Sequence, residues 1–193
     1  MPENLFAEHT VESAPPASRR SMEATRKRLG YLPSPVARLA TSPHLLDGFL
    51  QLSAMFEMAT LDPVAREVVI MTIATRNGCH VCVAMHSAKL VKMGEADELV
   101  SALREQRPLR DARLDAIREF TIEVLASAGA VSGEALRAFL AAGFSDRNAL
   151  EVVLGIGTYT MSTLANRLTE APLDDQLAAF AWSEKRPGPQ ARP

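Results

Sequence analysis

Cysteine occurs only twice in 193 residues, tryptophan once and tyrosine twice. Two cysteines are too few for the dense disulfide framework that staples small secreted domains. Aromatic residues make up 5% of the chain. That is too sparse for the base-stacking platforms of single-strand nucleic-acid binders. Neither charge sign dominates, since 21 Lys and Arg face 23 Asp and Glu for a net charge of −2. Such a balance gives no global attraction to nucleic acid or to an anionic membrane. No apolar run reaches the roughly 18 residues of a membrane-spanning helix. The opening MPENLFAEHTVESAPP has no basic start and no apolar stretch, so it does not read as a secretory signal. The expectation is a cytoplasmic protein with an ordinary core and neither membrane nor nucleic acid as a partner.

What is present is helical punctuation. Residues 1–17 read as a polar, proline-containing N-terminal arm, and 185–193 as a flexible tail. The span 18–184 between them reads as one helical domain. A first helix runs from Ser18 to Leu29 and stops at Gly30; a short one covers Val36 to Ala40. Ser42-Pro43 and Asp62-Pro63 each pair a capping side chain with a first-turn proline. Asn77-Gly78 interrupts the helix that follows Asp62, and Gly94 ends the next. A long amphipathic helix is expected near Asp111 to Ala128, others from Ser132 and Ser145, and a short last one from Pro172 to Trp182. Val68 to Thr75 (VVIMTIAT) is β-branched enough for a buried strand. A strand leading into CxxC would be the thioredoxin arrangement. The helix start at Asp62-Pro63, and the helical periodicity of nearly all the rest, point instead to an all-α chain.

The two cysteines sit in CHVC, as Cys79 and Cys82. With Cys79 opening a helix, Cys82 lies about −60° and His86 about −20° from it around the axis. All three share one face, and Cys82 and His86 stand at i and i+4. A thiol at a helix N-terminus meets unpaired N–H groups and the positive end of the dipole, which favour thiolate. An imidazole beside it can exchange the proton. If Asn77-Gly78 lets the preceding helix turn back, Glu67 faces the cysteines and orients His86, as the third member of a triad does.

The spacing Glu67-x11-Cys79-x2-Cys82-x3-His86 resembles the alkylhydroperoxidase D-like members of the carboxymuconolactone decarboxylase superfamily. The likeness runs from about residue 29 to 168. It includes LGYLPSPVARLATSPHLLDGF, the segment from Thr60 to Gly94, and NALEVVLGIGTYTMSTLANRL. The resemblance implies an all-helical, alkylhydroperoxidase D-like bundle assembled as a homo-oligomer, trimer or hexamer. It also implies a thiol-dependent peroxidase with no cofactor. Cys82 would attack the hydroperoxide, Cys79 would resolve the product as a disulfide, and His86 with Glu67 would relay protons. A dithiol reductant, lipoyl-like or thioredoxin-like, would restore the thiols. Helix electrostatics alone favour Cys79 as the more acidic thiol. Redox members carry a further histidine two residues after the first cysteine; here that position is Val81, and His80 stands one residue earlier.

Other readings accompany each of these residues. A lactone decarboxylase would need no thiol pair, and a non-catalytic helical oligomer would use the cysteines to sense oxidation or not at all. Cys79, Cys82, His86 and Glu67 could in number ligate zinc, but their spacing is not a usual structural zinc pattern. His80 reads as a surface histidine. Thr158, Tyr159, Thr160, Ser162 and Thr163 read first as small-residue helix packing around Gly155 and Gly157, with Tyr159 the best pocket candidate. Arg19, Arg20, Arg26, Lys27 and Arg28 read as a solvated face, and the methionines as gap filling.

Overall fold

A computed structural model describes residues 5–183. The tail expected at 185–193 and the first four residues of the arm lie outside them. Among the described residues there is no strand; helices follow one another along the chain. They are α1 (Pro16–Leu29), α2 (Ser34–Leu39), α3 (Pro43–Glu57), α4 (Pro63–Arg76), α5 (His80–Lys92), α6 (Asp97–Arg104), α7 (Ala112–Ala126), α8 (Gly133–Ala141) and α9 (Asp146–Leu168), with a closing 3-10 helix (Asp175–Phe180).

The helix α4 is the centre of the bundle and packs against α5, α7 and α9. Every residue from Glu67 to Thr75 is buried. A helix covered on all sides has no polar face to show, and this is why Val68 to Thr75 also has the composition of a strand. The hydroxyls of Thr72 and Thr75 donate back to Val68 and Met71 carbonyls at 2.7 and 2.8 Å, so neither costs an unmet donor inside the core. The helix begins at Asp62, whose side chain accepts from the Ala65 N–H at 2.9 Å and pairs with Arg113 at 2.7 Å.

Several boundaries differ from the sequence expectation. The first helix starts at Pro16, two residues before Ser18, because proline is favoured at the first helical position. The short helix begins at Ser34 rather than Val36. The last one is a six-residue 3-10 helix rather than a helix from Pro172 to Trp182. Helix α6 has no counterpart in the expectation, although Asp97 and Glu98 suit its first turn and Val100, Ala102 and Leu103 are its buried face. The described part of the arm lies along α1–α3, with Val11 and Ala14 buried against Met22, Val36 and Leu39.

Two apolar clusters result, a large one around α4 and a smaller one among the arm, α1, α2, α3 and the end of α9. Phe49 packs against both. Where α9 crosses the large cluster the approach is close. A Cβ on Gly155 would stand 2.8 Å from two ring carbons of Phe56 and 3.1 Å from Val69. Alanine at a mid-helix glycine ordinarily gains about 0.5–1 kcal/mol. Here the overlap with a fully buried ring decides the sign, and Gly155→Ala is expected to cost about 1–3 kcal/mol. Urea denaturation measures it; a variant as stable as the parent would contradict the packing described.

Candidate active site

The turn between α4 and α5 builds the site. Gly78 adopts φ +63°, a left-handed conformation that glycine takes without penalty. The N–H groups of Gly78 and Cys79 donate to the carbonyls of Thr75 and Ala74 at 3.1 and 2.9 Å. This two-bond closure ends α4 and aims the chain back along it. Cys79 is thereby the N-cap of α5, and Cys82 is in the helix's first turn. The turn is tied to α9, since Asn77 Nδ2 donates to Thr163 Oγ1 at 2.8 Å and Arg167 donates to the Asn77 carbonyl.

The four residues fall into two contacting pairs, and Cys82 and His86 line one cavity. Both cysteines are reduced and buried, and their sulfurs lie 2.9 Å apart. Glu67, 1% exposed, accepts from His86 Nδ1 at 2.7 Å through Oε2 and from Lys89 Nζ at 2.9 Å through Oε1. Nδ1 being committed to the carboxylate, Nε2 is the ring nitrogen left for proton exchange. Lys89 reaches on to Glu57 at 3.3 Å, nearer solvent. Burial pushes the Glu67 carboxyl up, but the charge and hydrogen bond of His86, with those of Lys89, outweigh it and hold the group below the ordinary carboxylate range.

The two thiols are unequal. The hydrogen bond from Cys82 lowers Cys79; burial opposes this, and the backbone N–H groups at the start of α5 and the Asn166 amide add to the lowering. The same contact with Cys79, then burial and the nearby charge, push Cys82 well above the ordinary thiol range. Access runs the other way. Cys82, not Cys79, lines a cavity of about 320 Å³ where the two apolar clusters meet. Leu29, Pro35, Val36, Leu39, Phe49 and Leu50 make its apolar wall. Cys82, His86, Lys89, Tyr159, Ser162 and Asn166 make its polar end. A larger groove of about 890 Å³ between α6 and the 3-10 helix holds none of the four residues.

Three side chains at this end were not singled out from sequence as site residues. Lys89 is one helical turn from His86 and reaches Glu67. Ser53 meets the Tyr159 hydroxyl at 3.3 Å. Asn166 donates to Cys82 Sγ at 3.3 Å. Tyr159, Ser162 and Asn166 fall at i, i+3 and i+7 on α9, and that spacing is the signal in the sequence. Tyr159 does line the cavity, edge-on to the His86 ring with centroids 5.5 Å apart. Burial raises its hydroxyl well above the ordinary value, so it stays protonated. Thr158 and Thr163 instead donate to the carbonyls of Leu154 and Tyr159 within α9, as the packing reading expects.

His80 lies apart from the relay. It is exposed, and it lines a groove on the other side of the turn with Gly78, Arg167 and Glu170. The residue after it, Val81, is buried in the core. No group of three or more His, Cys, Asp or Glu is placed to share a metal ion among the described residues. The sulfurs face one another, and Glu67 is engaged by His86 and Lys89. No helix among them is long and apolar enough to cross a membrane.

A model of the carboxymuconolactone decarboxylase family matches residues 43–112, a span that holds Glu67, Cys79, Cys82 and His86. The match spans just over a third of the chain, and the bundle around it has the fold of AhpD-like proteins. A peroxidase-related protein of Ralstonia eutropha JMP134, described as an alkylhydroperoxidase AhpD core, superposes with a TM-score of 0.79 at 17% identity, over 92% of this chain and 95% of its own. A peroxidase-related protein of Silicibacter sp. TM1040 gives 0.75 at 17%, over 91% and 94%. The debrominase Bmp8, a cysteine-to-alanine variant in complex with 2,3,4-tribromopyrrole, gives 0.72 at 16%, over 93% and 96%. At these identities the likeness is one of fold. No curated protein matches the chain.

Proposed function

We propose that the chain is a thiol-dependent peroxidase that reduces hydroperoxides through a Cys79/Cys82 dithiol–disulfide cycle. The observation that carries this reading is a cavity ending at Cys82, with a second sulfur 2.9 Å away and a His86–Glu67 pair beside it. The contact between the sulfurs favours charge on Cys79 over Cys82. Passing the Cys82 proton across that 2.9 Å contact to Cys79 makes Cys82 the nucleophile at the cavity wall. This reconciles the electrostatics with the access.

The Cys82 sulfur then attacks the terminal peroxide oxygen and the O–O bond breaks. The alkoxide takes a proton from His86 and leaves as alcohol. The peroxide has gained two electrons, and Cys82 has lost two to become a sulfenic acid. Cys79 then attacks the Cys82 sulfur and gives up the proton it took from it; the S–O bond breaks, that proton goes to the departing hydroxide to make water, and the disulfide closes. A dithiol reductant, lipoyl-like or thioredoxin-like, returns both sulfurs to thiols by exchange. An organic hydroperoxide with dithiothreitol tests the reading. Consumption proportional to enzyme is expected, and none above the rate of dithiothreitol alone would refute it.

The Bmp8 likeness and the aromatic edges of Phe49 and Tyr159 on the cavity favour one second reading, reductive dehalogenation of a small ring. The same two thiols would supply the electrons: a carbon–halogen bond breaks, halide leaves, a proton replaces it and the disulfide forms. Bromide released from a brominated pyrrole, without hydroperoxide consumption, would put this reading first. Lactone decarboxylation needs neither sulfur, so its signature is activity kept in a Cys79→Ser, Cys82→Ser double variant.

Homo-oligomeric assembly is part of the same proposal. Leu150, Val153, Leu164 and Leu168 are 73, 50, 56 and 70% exposed on α9. They fall within about 60° of arc, an apolar stripe suited to other copies of this chain. Sedimentation is expected to show a multiple of 20.9 kDa, falling to the single-chain mass in Leu164→Glu, Leu168→Glu. A parent protein sedimenting as a single chain at micromolar concentration would contradict it.

A further inference from the structure

Asn166 has a use for only half of its amide. Its Nδ2 donates to Cys82 Sγ at 3.3 Å and lies 3.9 Å from Cys79 Sγ. Its Oδ1 is buried and has no hydrogen-bond partner among the described residues. The residue is 5% exposed. A buried, unmet amide carbonyl costs about 1–3 kcal/mol, and an apolar residue of similar size would avoid that cost. The group stands at the one place in the chain where a new O–H donor would appear during the proposed cycle. It is also the partition between the cavity at Cys82 and the groove beside His80, since it lines both.

We infer that Asn166 is a catalytic residue, its amide N–H steadying the Cys82 thiolate and its unpartnered carbonyl receiving the hydroxyl of the Cys82 sulfenic acid. The two states of the sulfur need opposite partners. A thiolate only accepts, and an S–OH group also donates. One carboxamide carries both functions as separate groups on one plane, whereas the Ser162 hydroxyl, which also bonds Cys82, serves both through a single rotating O–H and the His86–Glu67 pair is committed to itself. Tying Asn166 to the sulfur also restrains the S–OH group near Cys79 until the resolving attack expels its oxygen as water.

The inference rests on the thiol chemistry proposed above, and its test separates the two. In a Cys79→Ser background, which leaves Cys82 as the sole thiol, the rate of alkylation by iodoacetamide is followed against pH. Adding Asn166→Ala is expected to raise the midpoint by about one pH unit, a tenfold loss of thiolate at a given pH below it. Asn166→Asp is expected to raise it further, because a carboxylate repels the thiolate. Asn166→Ser keeps a small donor and should fall between the parent and Asn166→Ala. If one variant does not fold, the other two carry the comparison. Midpoints equal to the parent in the folded variants would overturn the donor role. In the same background, one equivalent of an organic hydroperoxide should leave a sulfenic acid trappable by dimedone. Its lifetime is expected to shorten several-fold with Asn166→Ala; an unchanged lifetime would overturn the acceptor role. Failure to form any sulfenic acid would refute the peroxidase reading and the acceptor role with it, while the alkylation profile, which uses no peroxide, would still decide the donor role.

Discussion

Serine in place of Cys82 is expected to abolish hydroperoxide turnover, by on the order of 10³-fold or more, because the variant lacks the sulfur nucleophile that the cavity reaches. A serine hydroxyl does not attack an O–O bond at neutral pH. Its volume is close enough to that of a thiol for the bundle to remain folded. Cys79→Ser should behave differently. It keeps the sulfur that lines the cavity, so it should consume about one equivalent of hydroperoxide per chain and stop at the sulfenic acid. The pair of variants therefore tests the assignment of roles and not only the need for thiols. If Cys82→Ser kept its turnover and Cys79→Ser gave no burst, the charge bias toward Cys79 would have prevailed over access, and the nucleophile would be Cys79.

The second large effect is expected at Glu67→Gln. Glu67 is the buried anion between two donors, His86 Nδ1 at 2.7 Å and Lys89 Nζ at 2.9 Å. Glutamine has one oxygen for the two, so its NH₂ must face either an N–H or an ammonium. The imidazole then loses the bond that orients it, and turnover should fall about 10²–10⁴-fold, the usual worth of a positioned proton-transfer group. The thiols should still alkylate as in the parent. Stability follows the same carboxylate. Its value in the folded chain lies below the ordinary 4.5 in spite of burial, because His86 and Lys89 favour the charged form. The stabilisation is thus complete above pH 4.5 and is lost as pH falls through the lowered folded value. In Glu67→Gln this component of the acid dependence should be missing. Urea denaturation of both proteins across that range measures it, and parallel acid limbs would contradict the described pairing.

Much of this arrangement is legible in the residues, because local chemistry specifies it. Ser42, Asp62, Ser132 and Ser145 each cap a helix with their side chains, so the starts of α3, α4, α8 and α9 follow from composition at single positions. Gly78 with its left-handed turn makes α4 and α5 neighbours, which is enough to bring Glu67 to His86 across 19 residues. The strand-like look of Val68 to Thr75 is a consequence of burial on every side, and only the surrounding helices resolve it. Helix α6 has no side-chain cap and only eight residues, so its start carries little local signal. Asn166 meets the sulfurs across 84 and 87 residues. Its i, i+3, i+7 spacing with Tyr159 and Ser162 places it on one face of α9, but only the packing of α9 on the turn sets that face against the sulfurs. His80 differs from the relay position by one residue, and the 100° that this turns a side chain is what leaves it in the outer groove.

Under the proposed function Cys79 and Cys82 act as one two-electron unit opening on the cavity. Mass spectrometry of the reduced chain after one equivalent of an organic hydroperoxide, with remaining thiols blocked by alkylation, tests it most directly. Both alkylation sites are expected to be lost together to a Cys79–Cys82 disulfide within the same chain, with Cys82 the sulfur oxidised first when Cys79 is replaced by serine. Two thiols that stay fully alkylatable while hydroperoxide persists, or oxidation that links different chains instead, would contradict it.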